Sequence, residues 1–306
     1  MNSRRFLIAA TLALCAGAHL SAQKPPRPPD LANVSYGPHE RNVLDLWKAK
    51  SDRPTPLVIF IHGGGFTQGD KSGVNPVLLD TSLKEGISVA SINYRYSTQA
   101  PYPAPMADSA RAIQFLRLRA AEWNLNPKAF GATGGSAGAG ISLWMGFHDD
   151  MADPKSSDPV ARQSTRLSAM AVTNGQTTYD PRTIAKLISP ETARIDALRK
   201  LFNVKEGDPL QATEAFKRYE DGSAVTHLTA GDPPVLLQYS QSNTPMPPES
   251  TGLGIHHPRF GYFLKEKMDK LGIECTVRVK DDYAGKPPGQ QQRDVVEFFW
   301  RHFPKD

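Results

Sequence analysis

The 306-residue chain holds two cysteines, Cys15 and Cys275, and that scarcity removes disulfide-stapled scaffolds from consideration. Cys15 falls in an opening segment expected to be cleaved, which leaves Cys275 without a partner, so the fold must rest on its own core. Metal-ligand spacings are missing as well. There is no H-E-x-x-H and no paired-cysteine pattern, so neither a metal site nor a cofactor is expected. Lys and Arg outnumber Asp and Glu by 36 to 31, but the excess is scattered, without the blocks that hold nucleic acid or an anionic membrane. No apolar run is long enough to span a bilayer, so no stable membrane anchor is expected.

The longest apolar run, Phe6 to Ala18, follows the positive start Met1-Asn2-Ser3-Arg4-Arg5 and precedes small residues at Ser21-Ala22. That order is the pattern of a secretory signal peptide, expected over residues 1–22, with a Pro-rich linker over 23–32. The implied location is the periplasm or the exterior. The Arg4-Arg5 pair leaves both the general and the twin-arginine export routes open.

Residues 33–306 read as one domain. Val34 to Leu46 suggests a hairpin turned near Gly37-Pro38-His39. Leu57-Val58-Ile59-Phe60-Ile61 is an unbroken apolar run, as in a strand buried on both faces. Helix and strand patterns then alternate to the closing helix over 291–303, which predicts an α/β fold, a mostly parallel sheet with helices on both faces. The stretch from about 175 to 231 interrupts the rhythm; it is polar, helix-biased and lacks a strand pattern. It reads as a helical cap inserted into the domain.

Gly134-Gly135-Ser136-Ala137-Gly138 is a G-x-S-x-G between a predicted strand and a predicted helix. Such a turn needs small residues on both sides, because the serine sits where strand and helix backbones approach closely. His62-Gly63-Gly64-Gly65-Phe66 directly follows the buried strand 57–61. A glycine run there presents backbone N–H groups to a carbonyl oxygen gaining charge. No Lys-Ser/Thr pair follows these glycines, so they do not form a P-loop.

With both motifs in place, the chain resembles the α/β-hydrolase superfamily, specifically the lipase and esterase group with an HGGG oxyanion loop. Asn93-Tyr94-Arg95-Tyr96 and the run Tyr102-Pro103-Ala104-Pro105-Met106-Ala107-Asp108 are also similar to that group. The resemblance implies Ser136 as nucleophile, Gly64, Gly65 and Ala137 as the oxyanion-hole donors, and His62 as a brace for the glycine loop. It also implies an Asp after the strand 235–239 and a His after the last strand. The chain departs from both: Asn243 stands near the acid position, and Lys280 to Lys286 holds no histidine.

Of the eight histidines, His256-His257 stand in the loop after the seventh strand, where strand ends face the nucleophile. His257 is the first choice of base and His256 the second, with Asp282 or Asp281 from the neighbouring loop as acid. His227 in the cap and Asp180 after the sixth strand are the alternatives. The reaction implied is hydrolysis of a small-molecule or polysaccharide-linked carboxylic ester through an acyl-enzyme. A peptidase with the same nucleophile, or a binding protein on a decayed hydrolase scaffold, are the competing readings.

Overall fold

The computed structural model describes residues 27–205, 213–243 and 245–305. The expected signal peptide and the start of the linker lie outside them. Strand β1 (Leu31–Ser35) already occupies the last two linker positions and pairs antiparallel with β2 (Val43–Trp47). Then follow β3 (Thr55–Ile61), α1 (Pro76–Lys84), β4 (Ser88–Ile92), α2 (Ala104–Leu118), β5 (Leu125–Gly135), α3 (Ala137–Phe147) and β6 (Ala169–Thr173). Three helices come next: α4 (Pro181–Leu187), α5 (Asp196–Leu201) and α6 (Thr213–Gly222). The chain closes with β7 (Val235–Gln238), α7 (Thr251–Ile255), α8 (Arg259–Lys270), β8 (Cys275–Arg278) and α9 (Gln290–His302). The stretch between β6 and β7, where a cap is expected, contains no strand among its described residues.

The strands form one eight-stranded sheet in the order β1-β2-β4-β3-β5-β6-β7-β8. The β1–β2 and β2–β4 pairs are antiparallel, and every pair from β4 to β8 is parallel. β3 shows why this sequence makes a two-faced sheet. Leu57, Ile59 and Ile61 enter the core containing Ile113 and Leu116 of α2 and Ile141 and Leu143 of α3. Val58, one residue out of phase, enters a second cluster with Leu78 of α1 and Val295, Val296 and Phe299 of α9. Alternate side chains of one strand thus feed two separate helix layers. Each such side chain, taken fully from water, contributes roughly 1.5–3 kcal/mol.

Helix boundaries follow local chemistry. Asn75 opens α1 by accepting from the N–H groups of Val77 and Leu78, with Pro76 as the first helical residue. Gly86, at φ 78°, lets the chain leave that helix for β4. The parallel strands bring the C-terminal ends of β3, β5, β6 and β7 to one edge of the sheet. The glycine loop, the G-x-S-x-G turn, the end of β6 and the residue after α7 therefore meet at one crevice.

Candidate active site

Ser136 lies between the last residue of β5 and the first of α3, at φ 53° and ψ −118°. A non-glycine residue held there carries strain of order 1–3 kcal/mol, sustained by its surroundings. The surroundings are specific. Ser136 N–H donates to the Thr173 carbonyl at 3.0 Å, and its own carbonyl accepts from Gly140 at 3.0 Å. A side chain at Gly138 would place its Cβ 2.0 Å from the Ile61 carbonyl oxygen. The helix start is thus pressed onto the end of β3, and only glycine allows that approach.

The glycine loop begins at the same point. Gly64, at φ 102°, could not carry a Cβ, which would lie 2.1 Å from the Gln68 carbonyl oxygen. The Gly64 carbonyl accepts from Thr67 and Gln68, both at 3.1 Å, which closes the turn. His62 is buried, with Nδ1 2.8 Å from the Gly63 carbonyl and Nε2 3.2 Å from Arg41 Nη2. Since a guanidinium only donates, Nε2 accepts and Nδ1–H donates, so the ring is neutral. Burial lowers its pKa to about 4. The ring stacks on Tyr94 at 4.3 Å, and the Tyr94 hydroxyl donates to the His62 carbonyl at 2.9 Å. Arg95 grips Asp108 through Nε at 2.8 Å and Nη2 at 2.7 Å. The Asn93–Tyr96 run, held by Asp108, thus forms scaffolding behind the glycine loop.

The imidazole on the serine belongs to His256. Its Nε2 lies 2.9 Å from Ser136 Oγ, and its Nδ1 lies 3.1 Å from the carbonyl oxygen of Gly252, one turn earlier. Nδ1–H donating to that carbonyl leaves Nε2 to accept the serine proton. Burial holds the His256 pKa below the ordinary imidazole value, partly offset by the Gly252 carbonyl.

His257, the first choice from sequence, must be corrected. The chain turns between the two residues at the end of α7, and the His257 side chain enters the interior with no exposed surface. Its Nδ1 accepts from Arg259 N–H at 3.1 Å, at the entrance of α8. The acids require the same correction. Asp281 Oδ1 accepts from Ser242 Oγ at 2.7 Å, and Asp282 Oδ2 accepts from Val279 N–H at 2.8 Å. Both belong to the helical turn after β8, and among the described residues neither is hydrogen-bonded to His256. Asp180 caps α4 and pairs with Arg182, while His227 contacts the Asp221 carbonyl. No sequence signal could have found Gly252, because its contribution is a main-chain carbonyl.

A cavity of about 430 Å³ lies against Ser136 and His256, lined further by the amides of Asn75, Gln238 and Gln292 and by the apolar side chains of Phe60, Leu78 and Val295. A strand, a strained serine and a helix stacked on a mostly parallel sheet make this an α/β-hydrolase. Within that class, the chain belongs to the BD-FAE family, whose pattern matches residues 44–253. The match covers β2 through most of α7 and stops just short of His256. Among curated proteins it is similar to the probable carboxylic ester hydrolase LipM of Mycobacterium tuberculosis. The two are 27% identical over 219 residues, 70% of this chain and 48% of LipM. The chain spans about half the length of the curated relatives it matches. Among solved structures, a truncated carbohydrate esterase from gut microbiota superposes with a TM-score of 0.69 at 20% identity, covering 89% of this chain and 95% of that one. Esterase 2 of Thermogutta terrifontis gives 0.62 at 20% identity, covering 89% and 93%.

Proposed function

We propose that this chain hydrolyses carboxylic esters through an acyl-enzyme on Ser136, with His256 as the base. The observation that carries the reading is the 2.9 Å contact between His256 Nε2 and the Oγ of a serine held at positive φ. His256 Nε2 takes the proton as Oγ bonds to the ester carbonyl carbon. The carbonyl oxygen becomes an oxyanion, held by the N–H groups of Gly64, Gly65 and Ala137. As the intermediate collapses, the C–O bond to the alcohol breaks and the alcohol takes the proton from His256. Water then attacks the acyl carbon and gives a proton to His256; as the intermediate collapses the acid leaves and His256 returns the proton to Ser136 Oγ.

Where a triad would use a carboxylate, the Gly252 carbonyl orients the imidazole. It fixes the tautomer and ring plane as an acid would, but supplies a dipole instead of a full charge to the imidazolium. The reading is therefore a Ser–His pair with a main-chain third member.

The acyl group suggested is short and the alcohol polar. The cavity is small, at about 430 Å³, and sets the amides of Asn75, Gln238 and Gln292 beside the apolar side chains of Phe60, Leu78 and Val295, which leaves room for a compact acyl group next to a polar alcohol. The likeness to a carbohydrate esterase supports a small-molecule or polysaccharide-linked ester. The pattern over residues 1–22 supports export, which N-terminal sequencing of the mature protein would test. The chemistry itself is tested with a fluorophosphonate probe and p-nitrophenyl acetate. Wild type is expected to be labelled and to turn over ester, and Ser136→Ala to do neither. An unlabelled, inactive wild type would refute the hydrolase and favour a binding protein.

A further inference from the structure

At the far end of α3 one side chain of that helix's cap meets two from the segment between β6 and β7. His148 follows the last residue of that helix, Asp221 lies in α6, and His227 closes the short turn Ala224–Thr226. One ligand atom from each lies within 4.8 Å of the other two. The two imidazole rings are 4.7 Å apart between centroids.

Two of the three groups are already oriented from behind; the third, His227, has its Nε2 2.6 Å from the Asp221 carbonyl, a hydrogen bond that an ion on that nitrogen replaces. His148 Nδ1 is 2.9 Å from the Asp149 carbonyl, so Nδ1–H donates there and Nε2 keeps its lone pair. The Tyr102 hydroxyl donates to Asp221 Oδ2 at 2.5 Å, leaving Oδ1 for another partner. Trp144 Nε1 donates to the Asp221 carbonyl at 2.7 Å, which holds the main chain of α6 against α3. His148 packs on the Trp144 indole at 4.1 Å between centroids, with the rings tilted by 34°. Outer hydrogen bonds that fix tautomer and ring plane are what metal-binding histidines and carboxylates characteristically have.

We propose that His148, Asp221 and His227 bind one divalent transition-metal ion, with zinc as the best match, and so fasten the helical segment between β6 and β7 to α3. Two imidazole nitrogens and one carboxylate oxygen suit zinc and its neighbours, whereas calcium and magnesium prefer oxygen alone. A tetrahedral zinc site with bonds of about 2.1 Å separates its ligand atoms by about 3.4 Å. The present cluster is slightly wider. The Asp221 side chain is 58% exposed, so it has room to bring Oδ1 towards the imidazoles while Oδ2 stays on Tyr102. Water completes the fourth position. The site lies about 18 Å along α3 from Ser136, at 1.5 Å per residue, so the ion is structural and takes no part in ester cleavage.

The test uses tag-free full-length protein stripped with a chelator and then freed of it. Calorimetric titration with zinc chloride is expected to give one ion per chain, and saturating zinc to raise Tm by several degrees. Cobalt in place of zinc should give visible d–d bands of a low-coordinate nitrogen and oxygen site. Asp221→Asn, which keeps an acceptor for Tyr102, and the double variant His148→Gln/His227→Gln should each weaken zinc binding by at least about tenfold. In metal-free buffer both should turn over p-nitrophenyl acetate within about twofold of wild type. A wild type that binds no zinc overturns the proposal. So does zinc that binds both variants as tightly as wild type, or that acts only by inhibiting through His256.

Discussion

Replacing Asp281 and Asp282 by Asn, singly and together, distinguishes a carbonyl-oriented histidine from one held by a carboxylate. Where an Asp orients the catalytic imidazole, its change to Asn costs about 10⁴-fold in turnover. At 1.36 kcal/mol per tenfold that is about 5.5 kcal/mol of transition-state stabilisation. In this structure both acids are engaged elsewhere, on Ser242 and on the Val279 amide. Each variant should therefore keep kcat and kcat/KM within about threefold of wild type. Asp282→Asn should cost only roughly 1 kcal/mol of stability, through the weakened cap. His256→Ala, by contrast, removes the atom that receives the serine proton and should lower kcat by at least roughly 10³-fold with little change in Tm. His257→Ala should do the reverse, because its fully buried ring supports the entrance to α8. The assay is p-nitrophenyl acetate hydrolysis between about pH 5 and 9, with a thermal melt for every variant. A hundredfold loss in Asp281→Asn or Asp282→Asn at unchanged Tm would refute the reasoning, since a carboxylate would then be orienting the imidazole.

Ser136→Gly should abolish turnover yet raise stability by about 1 kcal/mol, visible as a higher Tm, because glycine relieves the strain at φ 53°. Gly64→Ala should lower kcat more than it raises KM, since the loop N–H groups tighten on the oxyanion only in the transition state; steady-state kinetics with circular dichroism checks both halves. His62 supplies a pH dependence. Its folded pKa of about 4 lies below the unfolded value near 6.5, so the unfolded chain binds the extra proton first. Stability should be complete above about pH 6.5 and fall by roughly 3 kcal/mol as pH drops to about 4, and chemical denaturation should show a flatter profile in His62→Asn.

Much of this fold is written in local sequence. The run Leu57–Ile61 declares a strand buried on both faces, and both core clusters take residues from it. The serine turn and the glycine loop were legible because backbone crowding admits so few residues there: a Cβ at Gly138 or Gly64 meets a carbonyl oxygen. The base was legible only to a pair of adjacent histidines. Which of the two reaches Ser136 depends on how the chain turns at the end of α7, and no periodicity records that. The orienting group was invisible for a different reason, since every residue has a carbonyl. The cluster of His148, Asp221 and His227 escaped because His148 is far in the chain from the other two and meets them only when α6 packs on α3.

His256 and the Gly252 carbonyl that orients it lie within a single helical turn. In the proposed reaction, base and orienting group therefore travel together as one short cassette. A triad, by contrast, draws its acid and base from separate loops, and a slip in the register of either strand pulls them apart. Here the described residues after β8, from Lys280 onward, make no hydrogen bond to Ser136 or His256. That rim is open to exchange: loops of other lengths and charges could be grafted there to select new alcohols while the serine and its base stay aligned.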